Sequence, residues 1–376
     1  LNLNYQLVAS DKQLEACCQK AMLADYVTLD TEFVRTRTYY PKLGLIQLYD
    51  GDVISLIDPL TIYNWQPFRE LLTAPQVTKL LHACNEDLEV FMHEFSLLPE
   101  PLVDTQVLAV FCGYSLSCGY ATLVADKLRI PLNKSETRTD WLARPLTENQ
   151  CRYAAEDVYY LLPLAKIILT ETAQKGWLEA ALDECKLLAA KHQAPSQSAT
   201  AYFNITNAWR LNPRQLAALQ KLADWRLTHA RQKDMAINFV VKEANLWNVA
   251  QALPDSLAQL AQLGLTSTEI RFHGATMLKL VEQAKQIPTE ALPKSIERLV
   301  DHKSYKTVFN SLKEQLRLIA NQYQLNEALL TSRRQINQLL KWHWQIKDDI
   351  EEPVLLSGWR GELTKSTLLP LLAELA

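Results

Sequence analysis

The sequence predicts an α/β domain with a mixed sheet, followed by all-α helical domains. Three observations carry that reading. Up to residue 192, runs suited to strands alternate with runs suited to helices. The early strands follow one another as hairpins, which makes the sheet mixed rather than all-parallel. After a small, polar, proline-containing stretch at 193–203, almost everything recurs at helical spacing.

In chain order, Asp11 to Met22 reads as a helix and Tyr26 to Leu29 as a strand. Leu45 to Tyr49 and Val53 to Ile57 are the next strands, Trp65 to Leu72 a helix, and Val77 to Leu81 a further strand. Asp87 falls where a strand or loop turns into a helix. Asp104 reads as a cap between a strand and the helix Gln106 to Val110. Thr147 and Gln150 have the spacing of a capping box, opening a helix from Glu148 to Leu161. Beyond the linker, Pro213 to Arg231 carries Leu216, Leu219, Leu222 and Trp225, and Arg333 to Trp344 is a later helix. The division expected is 1–192, linker 193–203, 204–290 and 291–376.

Composition narrows the classes. A chain of 376 residues with 48% apolar content is an ordinary globular protein of two or three domains. No window approaches 18 uninterrupted apolar residues, so no transmembrane helix is indicated. The start, Leu1-Asn2-Leu3-Asn4-Tyr5, lacks the charged-then-apolar pattern of a signal peptide, and because it lacks a methionine, missing or altered leading residues are an expectation. Seven cysteines in no Cys-x-x-Cys pattern argue against a disulfide framework and against a zinc site. A reducing, cytoplasmic location is the expectation. Residues 1–192 hold 17 Lys and Arg against 25 Asp and Glu, net −8, whereas residues 193–376 hold 22 against 17, net +5. That split fits a nucleic-acid handle joined to an acidic, metal-needing domain, although inert domains reach the same modest charge.

Asp30-Thr31-Glu32 closes the apolar run Tyr26-Val27-Thr28-Leu29. Residues two apart on a strand point to one face, about 7 Å apart, so this acid pair repels itself unless a cation lies between. A hard divalent ion such as Mg²⁺ or Mn²⁺ prefers oxygen ligands and suits the pair. Alone, Asp-x-Glu is a common surface pattern. Two later segments add partners: Asn85-Glu86-Asp87-Leu88, and a helix carrying Tyr153 and Asp157, whose i, i+4 spacing sets phenol and carboxylate on one face.

Four acids and a tyrosine in three separated motifs resemble the DEDD superfamily of 3′→5′ exonucleases, tyrosine subclass, and within it the ribonuclease D family. Asp30-Thr31-Glu32-Phe33-Val34-Arg35 with Gly44-Leu45-Ile46-Gln47-Leu48 looks like the first motif. His82-Ala83-x-x-Glu86-Asp87-Leu88 looks like the second, and Arg144-Pro145-Leu146 leading to Tyr153-x3-Asp157 like the third. The likeness covers residues 1 to about 190. It implies a ribonuclease-H-like exonuclease domain in which Asp30, Glu32 and Asp157 hold one of two divalent ions, Asp30 bridges to the second, and Asp87 completes the set. Two ions roughly 4 Å apart activate a water and stabilise the leaving oxygen. Tyr153 would orient that water or help deprotonate it. The segment from 204 to 290 resembles the HRDC helical domain, on Arg214-Gln215-Leu216, Leu222-x-x-Trp225-Arg226, Asn238-Phe239-Val240-Val241 and Leu263-Gly264-Leu265, with a fainter second copy from about 291.

The resemblance implies a metal-dependent 3′→5′ exoribonuclease that releases 5′-mononucleotides and matures the single-stranded 3′ ends of tRNA precursors and other small structured RNAs, acting as a monomer without membrane attachment. A DNA-directed repair exonuclease and a non-catalytic RNA-binding protein are the alternatives. Each residue also has a plainer reading. Tyr153 is then a half-buried aromatic and Asp87 a helix-start residue facing the dipole. Phe33 is either a base-stacking wedge or core. Gln47, Arg35, Arg138 and Arg144 are candidate substrate contacts, with Arg37 and Lys134 as further phosphate partners and Tyr39, Tyr40 and Trp141 among them. Each cation is equally an ion-pair partner. His82 is expected to position its neighbours rather than to ligate.

Overall fold

The computed structural model describes residues 3–132, 139–193, 198–346 and 352–374. The first part runs β1 (Tyr5–Val8), α1 (Asp11–Ala21), β2 (Tyr26–Val34), β3 (Lys42–Tyr49), β4 (Ile54–Ile57), α2 (Gln66–Thr73), β5 (Thr78–Leu81), α3 (Asn85–Phe95) and β6 (Leu102–Asp104). Helices follow: α4 (Thr105–Phe111), α5 (Tyr120–Leu128), α6 (Glu148–Tyr159), α7 (Leu161–Gln174) and α8 (Leu178–Gln193). The sheet order is β1-β4-β3-β2-β5-β6. β2–β3 and β3–β4 are antiparallel, and the other pairs are parallel. The mixed sheet is as expected. β1 and β6 were not anticipated, because each is only four or three residues long and takes its pairing from a distant strand.

Alternation along β2 decides what each face does. Val27 and Leu29 point into the core that contains Phe68 of α2 and Leu88 and Phe91 of α3. Thr28, Asp30 and Glu32 point to the other face, which α6 and α7 cover, and Thr28 Oγ1 donates to Val158 O of α6 at 2.8 Å. The β2–β3 register shifts after Glu32: Glu32 pairs with Leu45 and Phe33 with Leu43, leaving Gly44 as the extra residue of a bulge. A Cβ at Gly44 would lie 2.7 Å from Trp141 O, so only glycine lets that backbone pass.

The remaining helices are α9 (Pro213–Gln232), α10 (Ile237–Val240), α11 (Glu243–Ala252), α12 (Leu257–Gln262), α13 (Ser267–Lys285), α14 (Tyr305–Gln322), α15 (Arg333–His343) and α16 (Gly358–Glu374). The chain forms two compact units, one of Leu1–Val34, Pro41–Ala194 and Lys303–Ala376, the other of Arg35–Tyr40 and Pro195–His302. The division differs from the sequence reading at three places, each for a packing reason. The stretch read as a linker, of which 194–197 lie outside the described residues, ends in a 3₁₀ turn at Ser198–Asn204 that buries Tyr202. Leu292 and Ile296 pack on the core of the second unit, and the Arg298 guanidinium lies 3.6 Å from the Trp209 ring centroid, so that unit continues to His302 rather than 290. The C-terminal helices join the first unit: Trp359 meets Phe111 and Trp177, and Arg360, buried, pairs with Glu184.

In the second unit, Leu216, Leu219 and Leu222 are buried as their spacing predicts, with Trp225 half-buried beside them. Arg35–Tyr40 pack here: Ala236 N donates to Arg37 O at 2.8 Å, Tyr40 N to Asp234 Oδ1 at 2.9 Å, and Arg231 Nε to the Tyr39 hydroxyl at 3.2 Å. No described helix is long and apolar enough to cross a membrane.

Candidate active site

Carboxylate oxygens of Asp30, Glu32 and Asp157 all lie within 4.8 Å of one another. β2 supplies the first two at its two-residue period. α6 supplies the third, one turn beyond Tyr153. That helix starts where the capping box of Thr147 and Gln150 predicts, and the Thr28–Val158 bond fixes it over the strand. Asp87 approaches from the first turn of α3. It stands outside the trio, is buried, and accepts a hydrogen bond from Thr31 Oγ1 on the opposite face of β2.

Among the described residues, the electrostatics of the cluster are those of charge without a counter-ion. Burial, followed by the charges of Asp87, Asp157 and Glu32, pushes Asp30 well above the usual carboxylate range. Glu32 is pushed up to about 9 by burial and then by Asp157 and Asp87. Burial and the Glu156 charge carry Asp157 to about 8, against the Tyr153 hydrogen bond that favours its anion. Asp87 reaches only about 6, because the Thr31 hydroxyl and backbone N–H groups offset its burial. All-oxygen donors, converging and electrostatically strained, fit a hard divalent cation, and nothing in the donor set suits a soft one. The Tyr153 phenol is shifted upward by burial and by Asp157, Glu32 and Asp30, so it stays protonated at neutral pH and donates a hydrogen bond.

These shifts set a pH dependence with a definite sign. Carboxylates raised above their unfolded value near 4 keep protons in the folded chain that the unfolded chain has lost. The cluster's own contribution to metal-free stability is therefore fully present below about pH 4 and is lost as pH rises through about 6, 8 and 9. Melting in chelator at a series of pH values should show that decline, and added Mg²⁺ should raise Tm most at the alkaline end. A metal-free Tm that climbs between pH 6 and 9 would contradict the assignment.

The flanking candidates fare differently. Arg144 was a candidate substrate contact, but all five of its N–H donors are engaged. Nε and Nη2 hold Asp58 at 2.7 Å each, Nη2 also reaches Gly44 O at 2.6 Å, and Nη1 donates to Trp141 O and Ala143 O at 2.9 Å. It clamps the third motif onto the sheet. Gln47 pairs with Asp30 across β2–β3 but is fully buried, with neither amide atom hydrogen-bonded to protein, so it lies out of a substrate's reach. Phe33, turned away from Glu32 by strand alternation, packs half-buried against the core of the opposite face. Arg35 is exposed and belongs to the second unit. Arg138 and Lys134 lie outside the described residues. Trp141 is buried, its ring centroid 6.1 Å from that of Tyr153.

The Asp104 carboxylate caps α4, accepting from Gln106 N, and it also accepts from Ala83 N and Cys84 N at 2.9 Å, fixing the turn before α3. His82 Nδ1 contacts Thr105 Oγ1 at 2.9 Å and its ring meets Tyr120, as a positioning residue would. The sequence reading missed Thr31, Asp58 and Tyr120. Tyr120 is half-buried near Asp157 and Asp30 and donates to Glu156 O at 3.1 Å. Thr31 was findable, since alternation sets it on the face of β2 turned toward α3. Nothing local marked Asp58 or Tyr120.

An acid cluster on a mixed sheet, closed by a tyrosine-bearing helix and followed by small helical domains, defines a metal-using exonuclease with HRDC modules. Known proteins agree. The family model described as 3'-5' exonuclease matches residues 5–173, the HRDC domain matches 215–281, and the ribonuclease D C-terminal HRDC domain matches 304–368. The chain is 54% identical to ribonuclease D of Serratia proteamaculans, covering 98% of this chain and 99% of that one. It is 52% identical to ribonuclease D of Escherichia coli over 99% of both chains. The crystal structure of the Escherichia coli protein, described as an exoribonuclease involved in structured RNA processing, superposes with a TM-score of 0.96 and covers 99% of each chain. The chain belongs to the ribonuclease D family. Its activity is that of a 3′→5′ exoribonuclease, and its fold implies divalent metal use.

Proposed function

We propose that this exoribonuclease trims unpaired 3′ ends of tRNA precursors and other small structured RNAs in the cytoplasm, as a monomer, releasing one 5′-mononucleotide per turnover. The observation that supports the site is the convergence of Asp30, Glu32 and Asp157, which no ion pair engages among the described residues. Asp30 and Glu32, two residues apart on a strand, and Asp157 from α6 would hold one divalent ion, Mg²⁺ or Mn²⁺, and Asp30 with Asp87 a second. Bound there, such ions supply Lewis acidity that activates water and stabilises the leaving 3′ oxygen. The water oxygen bonds to the terminal phosphorus, the P–O3′ bond breaks, and the shortened RNA keeps a 3′-hydroxyl.

Tyr153 acts as a neutral phenol. Its hydrogen bond to Asp157 and its packing on Trp141 aim the hydroxyl at the cluster, where it orients the attacking water rather than removing its proton. Tyr153→Phe should lower kcat by roughly 10²-fold, in the range of a lost positioned proton donor, with metal affinity nearly unchanged. Equal rates for variant and wild type would reduce Tyr153 to a packing residue.

Digestion of a 5′-labelled RNA bearing an unpaired 3′ tail, in Mg²⁺, in Mn²⁺ and in chelator, tests the whole reading against a matched DNA. A metal-dependent ladder shortening from the 3′ end of RNA alone is expected. Equal shortening of the DNA would favour the repair-nuclease alternative, and no shortening of either would overturn the catalytic assignment.

A further inference from the structure

We propose that the cleft between α8 and α15 binds the phosphate backbone of the RNA several nucleotides upstream of the 3′ end being cut. The inference rests on the exoribonuclease reading and adds a place for the body of the substrate. The cleft lies wholly within the compact unit that carries the acid cluster, and its volume is about 820 Å³. Among the described residues, Lys191 of α8, Arg333, Arg334 and Lys341 of α15 and Arg360 of α16 line it, against one carboxylate, Glu184.

Glu184 is already satisfied. Arg360 Nη2 donates to it at 3.0 Å, Arg360 Nη1 holds its other oxygen, and Trp359 Nε1 adds a third bond at 3.0 Å. That pair, with the ring contacts of Trp359, accounts for the docking of the C-terminal helices. The other four cations take no part in it. Among the described residues, no ion pair engages Lys191, Arg333, Arg334 or Lys341. Arg333, Arg334 and Lys191 are exposed. Packing therefore does not explain why this cleft gathers them.

Their arrangement favours a polyanion over a single phosphate. Arg333 and Lys341 are eight residues apart on α15, about 12 Å along the axis, a spacing that a run of anions spans with less strain than one anion held between two stretched side chains. A strand with phosphates about 3.4 Å apart along its axis would place three or four of them over that length. A hydrogen bond ties one edge of the cleft to the helix that carries Asp87. Lys191 is followed by His192, whose Nε2 lies 3.1 Å from Asn85 Oδ1, and Asn85 opens α3, the helix that carries Asp87. A chain anchored on α15 and passing the end of α8 would arrive at the acid cluster from the side of Asp87.

The test uses the full chain. Binding of a 5′-fluorescent, unstructured RNA of about 20 nucleotides is followed by anisotropy in chelator over a range of salt, and turnover of an RNA dinucleotide is measured in Mg²⁺. For the triple variant Arg333→Gln, Arg334→Gln, Lys341→Gln we expect Kd for the long RNA to rise by roughly tenfold or more. The slope of log Kd against log salt should fall by about 2, since each single-strand phosphate contact contributes about 0.7. Dinucleotide turnover should stay at the wild-type value, and Arg333→Lys with Arg334→Lys should keep the salt slope. Unchanged Kd and slope for the long RNA would overturn the proposal, as an acidic protein partner would predict. So would an equal loss on the dinucleotide, or a lysine variant as defective as the glutamine one. Failure of the wild-type chain to degrade either RNA would instead strike the underlying exoribonuclease reading.

Discussion

Asp30→Asn and Asp157→Asn should each lower RNA turnover by roughly 10³-fold or more, about 4 kcal/mol of transition-state stabilisation at 1.36 kcal/mol per decade. Asparagine keeps the shape of the side chain and one carbonyl oxygen but removes the anionic ligand on which a hard cation depends. Stability should move the other way. In the metal-free protein, burial and like charges oppose ionisation of Asp30 and Asp157. Removing one member of the cluster relieves that repulsion, so the metal-free variants should melt at or above the wild-type temperature. The rise in Tm on adding Mg²⁺ should shrink in both, because ligand-induced stabilisation follows affinity for the folded state. Activity paid for by local strain is a recurrent pattern at functional sites. Single-turnover assays paired with melts in chelator and in Mg²⁺ make the check. Wild-type rates in either variant, or an undiminished Mg²⁺ effect on Tm, would refute the ligand assignment.

Arg144→Met should lower stability by about 2–4 kcal/mol, somewhat below the range for breaking a fully buried pair because the Arg144 and Asp58 side chains are 24% and 18% exposed. For a unit of this size that corresponds to a Tm drop of about 5–12 °C. The loss has several parts. Asp58, whose burial opposes its charge but whose bonds to Arg144 and Leu60 N–H hold its pKa below the usual range, would lose its partner. Gly44 O and Trp141 O would lose donors in a region where Trp141 is buried. Arg144→Lys should recover little, since a lysine has three donors and no planar fork to span Asp58 and three carbonyls. Because Trp141 supports Tyr153, kcat should fall along with stability. Calorimetry of the two variants beside steady-state kinetics tests this. A methionine variant with wild-type Tm would show that the clamp is dispensable.

The sequence by itself determined the parts of this protein that depend on short-range period. Two-residue alternation set Asp30 and Glu32 on one face of β2. An i, i+4 step set Tyr153 beside Asp157 on α6, the capping box at Thr147 placed the start of that helix, and helical spacing buried Leu216, Leu219 and Leu222. These features survive folding because they follow from local backbone geometry. The tertiary structure decided what depends on partners far along the chain. Arg144 looks like a phosphate ligand in isolation, but Asp58, 86 residues away, makes it a clamp. Gln47 looks available on its strand until α6 covers it. Residues 292–302 read as the start of a new domain until their apolar side chains find the preceding core, and the C-terminal helices join the nuclease through Trp359 and Arg360. A side chain's type and spacing limit what it can do, but burial and pairing are properties of neighbours that only the folded chain brings within reach.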